Sequence, residues 1–263
     1  MFDDIKKELE DVYKYRYVVY SFVQTNLKLR YRRSYLGFIW TILAPMLNYL
    51  VMGVIFSFIM ANRMPNYFVY YFSGAIFFAI VSSTLNRAPT FLIGNEHYIK
   101  KIYVPKLIFI LNGTIYEITN FLLSAISLIV LGMIFGKLDL SWHSFLIFIP
   151  IVLISFFLIG IGTLIGIATV YFRDLMHIVP VVVQAAFFLT PVIYEKSMIP
   201  QKFQFLVELN PLYYFLELYR LPLVYHEIPP LNYFVICFIL ASVTFSIGLF
   251  MIKKFDNRII FKL

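Results

Sequence analysis

The chain has 263 residues, of which 61% are apolar and 14% charged, with a net charge of +8 and a mean hydropathy of +0.83. A soluble domain carries about 25% charged residues, so this composition excludes a soluble enzyme and a disordered protein and leaves an integral membrane protein. The single cysteine, Cys237, excludes an intrachain disulfide, and four scattered histidines offer no metal cluster.

In chain order, residues 1–11 (MFDDIKKELED) mix acids and bases without an apolar stretch and do not read as a secretory signal. Residues 12–33 carry a polar stripe of Lys14, Ser21, Thr25, Lys28 and Arg32, with Val12, Tyr15, Val19, Phe22 and Leu29 on another face. This pattern predicts an amphipathic helix in the cytoplasmic interface. The match is imperfect: Val18 falls on the polar stripe and Asn26 on the apolar one. Apolar runs follow at 38–60, 67–85, 107–135, 145–171, 178–194 and 233–252. At 1.5 Å per residue the first run reaches about 34 Å, enough to cross a hydrocarbon core of about 30 Å. Backbone polar groups in lipid require helices, and the continuous runs lack the alternation of a barrel. The expected fold is an all-α integral membrane protein with six transmembrane helices. A cytoplasmic segment 1–37 precedes a single transmembrane domain 38–252 and a tail 253–263.

Six spans place both termini on one side. That side carries 17 Lys and Arg against five on the other (Arg63, Lys137, Lys196, Lys202 and Arg220), which puts the termini in the cytoplasm. The same clustering at membrane edges removes nucleic acid as the reason for the positive charge. Residues 90–101 (TFLIGNEHYIKK) form a cytoplasmic segment between Pro89 and Pro105. Residues 195–231 lie outside, where Pro211, Pro222, Glu208, Glu217 and Arg220 oppose a complete crossing. Asn210 followed by Pro211 predicts an N-capped short helix to about Leu221, dipping into the outer leaflet.

No GxxxxGK[ST], HExxH or GxSxG sequence is present, and nothing nominates catalytic residues. Glu117 is the ionisable residue deepest in a span, where an acid costs roughly 3 kcal/mol. It is either a proton or substrate site, or a packed group satisfied by Asn112, Thr114 or Asn120. Gly132 with Gly136, and Gly162 with Gly166 beside Gly160, allow close helix packing, within the monomer or between subunits. Tyr67, Tyr70, Tyr71 and Tyr194 fit interfacial belts. Tyr49, Phe56, Phe187 and Phe188 lie inside spans, as packing residues or as aromatic faces that could stack on sugar rings.

Four segments together resemble one family. LRYRRSYLGFIWTILAP at 29–45 resembles the entry to the first span in permeases of ABC transporters that export polysaccharides and polyol phosphates: O-antigen, capsule-type and teichoic acid exporters. YIKKIYVPK at 98–106 resembles that family's loop between spans two and three. YFRD at 171–174, Gln184 and FFLTPVIY at 187–194 resemble its fifth-span region. NPLYYFLELYR at 210–220 resembles the helix before its last span. Val104 and Lys106 depart from the Phe and Arg common there.

The resemblance implies a channel-forming half-transporter: two copies of this chain with two separate ATP-binding cassette subunits, which would hold the ATP and Mg. This chain itself would bind no cofactor. The cargo implied is an undecaprenyl-linked polysaccharide or teichoic acid moved across the bacterial cytoplasmic (inner) membrane. His97, Tyr98, Lys100 and Lys101 match the coupling helix that docks on the ATPase, and Leu36 with Gly37 matches a Leu-Gly pair linked to the lipid-linked head group. Arg30, Arg32 and Arg33 stand directly before that turn, where guanidinium forks suit a pyrophosphate, although they could equally be topological anchors. Trp40, Tyr49 and Phe56 in span one, with Phe187, Phe188 and Tyr194 in span five, are the candidates for the channel lining. Other lipid or drug cargo on the same architecture, or an ATP-independent channel or secondary transporter, are the alternatives.

Overall fold

The computed structural model describes residues 10, 12–30, 34–60, 64, 66–102, 104–134 and 141–263, and among them all regular structure is helical. Helix α1 (Arg16–Arg30) is followed by a single 3-10 turn (Gly37–Ile39) into α2 (Trp40–Met60). Then come α3 (Tyr67–Arg87), the short α4 (Thr90–Ile93) and α5 (Glu96–Lys101), α6 (Leu107–Ile134) and α7 (Phe148–Tyr171). Helices α8 (Leu175–Leu189), α9 (Gln204–Glu208), α10 (Pro211–Arg220) and α11 (Leu231–Lys262) complete the chain.

Five helices (α2, α3, α6, α7 with the turn before it, and α11) are long and apolar enough to cross a membrane. The expected fifth crossing at 178–194 differs. Helix α8 has 15 residues and reaches only about 22 Å. Pro191 explains the stop: the residue before a proline is pushed out of the helical region, and Thr190 is extended at φ −94°, ψ 131°.

Helix α3 is the hub. Phe72, Ile76 and Val81 are completely buried, and α2, α6, α8 and α10 pack around it. Helices α7 and α11 form the closest pair. A Cβ on Gly160 would lie 2.4 Å from the carbonyl carbon of Thr244, and one on Gly248 would lie 3.0 Å from the Gly160 carbonyl oxygen. Without a hydrophobic drive in lipid, such backbone proximity is what holds helices together. Gly162 and Gly166 instead face Phe91, Ala88 and Leu92 at α4. The glycine rows of α7 therefore serve contacts within one chain; Gly136 lies outside the described residues.

Helix α1 lays Val19 and Val23 against Ile108 of α6. The residue that broke its apolar stripe has a partner there: the Asn26 amide donates to Asn112 Oδ1 at 3.4 Å. Residues 253–262 continue α11 instead of leaving it, with Ile259 fully buried and Asp256 paired to Lys106 at the start of α6.

Candidate functional site

The non-helical stretch after α8 is held by side chains. Tyr67 Oη donates to the Ile193 carbonyl at 2.8 Å, and Tyr70 Oη to the Tyr194 carbonyl at 2.7 Å. Arg220 Nη1 donates to the Pro191 carbonyl at 2.8 Å and to Tyr70 Oη at 2.9 Å, with its guanidinium 3.8 Å from the Tyr70 ring centre. Asn210 caps α10 through Leu212 N and donates to Thr190 Oγ1 at 2.8 Å. Irregular backbone away from water survives only where such donors satisfy it. The tyrosines are thus not an interfacial belt. Tyr67, Tyr70 and Tyr71 are 2%, 3% and 7% exposed, and Arg220, counted among the external cations, is completely buried. Gly74 makes room for it: a Cβ there would lie 2.2 Å from Arg220 Nη2.

Three hollows lie in series along α3. The first, about 570 Å³, opens between α3 and α8, where Tyr71, Phe78, Phe187 and Phe188 meet Ser82, Asn86 and Gln184. The Phe187 ring stands edge-on to Phe78 at 5.1 Å, and Phe188 is 61% exposed. The second, about 280 Å³, lies between α2, α3 and α6 and is polar, with Asn48, Ser83, Glu117, Asn120 and Ser124 among its walls. It shares Ala79 and Ser83 with the first. The third, about 560 Å³, separates α1 from α4, α5 and α6. Arg87 lines it and pairs with Glu117 at 2.6 Å, so this ion pair stands between the second and third hollows. Asn120 Nδ2 also donates to Glu117 Oε2 at 3.3 Å, which makes Glu117 a buried acid with partners.

The short segment between α3 and α6 is wedged into the bundle by one ring. A Cβ on Gly113 of α6 would lie 2.2 Å from Phe91 Cε1, and one on Gly162 of α7 would lie 3.2 Å from Phe91 Cε2. Two glycines thus form a slot that only a residue without a side chain leaves open. Beyond it, α5 occupies the range expected of a short cytoplasmic helix. His97, Tyr98, Lys100 and Lys101 are exposed and Ile99 is buried. Lys100 donates to Glu96 at 2.6 Å, and that hydrogen bond and charge hold the Glu96 carboxylate below its usual range. Tyr98 leans against Phe22 of α1, ring centres 5.7 Å apart, so it faces a neighbouring helix as well as solvent.

The channel candidates divide. Phe56 packs on Tyr67 and Tyr71, while Phe187 and Phe188 line the first hollow. Tyr194 is tied back to the Phe188 carbonyl at 2.6 Å. Trp40 sits at the opposite end of α2 from Phe56, about 24 Å away along the helix, and does not join them. In the entry turn, Gly37 adopts φ +48° and its N–H bonds to the Ser34 carbonyl at 3.2 Å. Among the described residues nothing lies within 4 Å of a Cβ there, and the positive φ is what requires a glycine in this tight turn. Tyr35 and Leu36 project outward, exposed. Arg32 and Arg33, and the side chains of Arg30 and Tyr49, lie outside the described residues.

Residues 17–224 of this helical chain match a known family model, that of the ABC-2 type transporter. The chain belongs to the ABC-2 type transporter membrane family. The O-antigen export system permease protein RfbA of Myxococcus xanthus is 30% identical over 223 residues, covering 84% of this chain and 85% of that one. A protein of the same name from Klebsiella pneumoniae is 30% identical over 190 residues, 71% of this chain and 72% of its own. The polysialic acid transport protein KpsM of Escherichia coli is 24% identical, covering 89% and 92%. ABC-2 permeases work with ATP-binding cassette subunits.

Sequence reasoning about this ABC-2 chain missed Arg87, Phe91, Arg220 and the roles of Tyr67 and Tyr70. One signal was legible: Tyr67, Tyr70, Tyr71 and Gly74 recur at helical spacing, and Arg220 is a cation in an apolar segment. The slot between Gly113 and Gly162 left no signal, because the two glycines are on different helices.

Proposed function

We propose that this chain is the channel-forming subunit of an ATP-driven exporter of lipid-linked glycan, an undecaprenyl-linked polysaccharide or teichoic acid polymer. It works as a homodimer in the bacterial cytoplasmic membrane, with two ATPase subunits that hold the ATP and Mg. The observation that carries this reading is the hollow between α3 and α8, whose open wall combines four aromatic rings with hydroxyl and amide groups. Sugars offer both an apolar ring face and a fringe of hydroxyls, so such a wall suits them, and a second copy facing it would close a channel. The names of the relatives point to the same class of cargo. The fifth crossing expected at 178–194 continues past the 15-residue α8 as irregular backbone, which the bonds from Tyr67, Tyr70 and Arg220 to the carbonyls of residues 193, 194 and 191 make tolerable inside a bundle. The exposed face of α5 is the ATPase dock, with His97, Tyr98, Lys100 and Lys101, and Phe91 passes its movement to α6 and α7.

Deleting the gene in its source bacterium tests the reading. Surface glycan should disappear while lipid-linked polymer accumulates inside, and the wild-type gene should restore export. Phe188→Ala should restore it poorly at an equal protein level. Normal surface glycan in the deletion strain overturns the proposal, and a Phe188→Ala protein with full export removes the aromatic wall from it.

A further inference from the structure

The Arg87–Glu117 pair is unequal in a way that points to a ligand. The Glu117 side chain is 7% exposed and Arg87 is 40% exposed. Glu117 faces the inner polar hollow, and Arg87 faces the 560 Å³ cleft under α1. The contact is single: Nη1 alone reaches Glu117, and the guanidinium lies 4.6 Å from the Tyr116 ring centre. Among the described residues nothing accepts from Nε or Nη2. Guanidinium presents its donors as a planar fork, so the edge turned from Glu117 retains two parallel donors. The cleft also holds the hydroxyls of Ser21, Thr25 and Thr90 and the amides of Asn26 and Asn95, and among the described residues no carboxylate lines it. A half-free guanidinium among neutral donors, with its one paired carboxylate, Glu117, on the far side of the cleft wall, is built for an anion.

We propose that Arg87 is an anion receptor that takes a phosphate group in this cleft. The phosphate oxygens accept from Nε and Nη2 while Nη1 stays on Glu117. Glu117 is a positioning residue: it holds the fork edge-on to the cleft from inside the bundle. The source of the phosphate rests on the export reading, which supplies a lipid diphosphate at the membrane surface, and a soluble phosphate has the same chemistry. Arg87 stands at the boundary with the inner hollow, so an occupied cleft places the anion's charge where the polar path along α3 begins.

The test uses the full chain in phosphatidylcholine nanodiscs, titrated with inorganic pyrophosphate and, in a separate arm, with farnesyl diphosphate. Binding of both marks a soluble phosphate, and binding of the farnesyl compound alone marks a lipid head group; either supports the site. Arg87→Lys keeps the charge without the fork and should weaken binding at least about tenfold. Glu117→Gln keeps an acceptor for Nη1 and removes the opposing charge, so binding should tighten severalfold. Arg87→Gln alone leaves a buried acid without a cation and could misfold. The double variant Arg87→Gln with Glu117→Gln restores neutrality, and it should fold and bind neither probe. Absence of binding by the wild type, full binding by the double variant or by Arg87→Lys, or loss of binding in Glu117→Gln overturns the proposal. Glycan export measured in cells separates the two readings. A chain that exports glycan but binds neither probe sinks this site alone; one that binds through Arg87 but exports no glycan sinks the export reading alone.

Discussion

Replacing Arg220 with methionine tests whether the end of the bundle around residues 190–195 hangs on one guanidinium. The side chain is completely buried, and methionine keeps most of its length while removing every donor. Two bonds matter most, Nη1 to the Pro191 carbonyl at 2.8 Å and to Tyr70 Oη at 2.9 Å; those to Glu217 at 3.4 Å and Val192 at 3.5 Å are long. Hydrogen bonds from a charged donor contribute about 1.5–3 kcal/mol each in water-soluble proteins. A membrane reference state finds other partners and lowers this, to averages nearer 0.6 kcal/mol for interhelical bonds. With the stacking on Tyr70, worth about 1–2 kcal/mol when desolvated, the expected loss is about 3 kcal/mol. Lysine in the same place keeps the charge but loses the fork and most of the stacking, and should cost roughly half as much. The chain carries its own reporter: Cys237 is its single cysteine, completely buried on α11 beside α10. A thiol-reactive dye added during a thermal ramp in detergent labels it only on opening. The order of labelling temperatures should be wild type, then Arg220→Lys, then Arg220→Met as the lowest. A methionine variant that opens with the wild type, or a lysine variant that opens with the methionine one, refutes the argument.

Gly160→Ala should lower the labelling temperature further than Gly166→Ala. Its Cβ meets Thr244 backbone at 2.4 Å, whereas at Gly166 the nearest atom, the Ala88 carbonyl oxygen, is at an ordinary 3.4 Å; equal shifts would contradict the close crossing of α7 and α11. Gly113→Ala should push Phe91 out of its slot and leave ATP hydrolysis running in the assembled transporter while export falls; export and hydrolysis falling together would mean the slot is only structural. In a Cys237→Ser background, an impermeant thiol reagent added outside should label Ser197→Cys and not His97→Cys, and the opposite pattern would reverse the topology read from the 17:5 Lys and Arg bias.

Composition alone decided that this protein lives in a membrane, because 14% charged residues cannot cover a soluble surface of this size. Run length located the long helices, since lipid allows few other ways to satisfy a backbone, and the Asn210–Pro211 pair marked the start of α10 to the residue. These are local properties, readable wherever a segment's own residues set its state. The interior was not readable. Hydropathy treats a lipid-facing phenylalanine and a buried one alike, so it could not tell Phe188 on an open wall from Phe72 in the core. Tyr67 and Tyr70 have the composition of an interfacial belt, and only the unwound carbonyls 120 or more positions away make them donors to backbone. Asn26 looked like a flaw in an amphipathic stripe until α6 brought Asn112 to it. Arg87 and Glu117 are 30 positions apart and each is costly in a membrane by itself; the packing of α3 against α6 turned two isolated charges into a pair with one edge left free. Such partnerships belong to the arrangement of helices, and a single sequence carries their members without saying which of them meet.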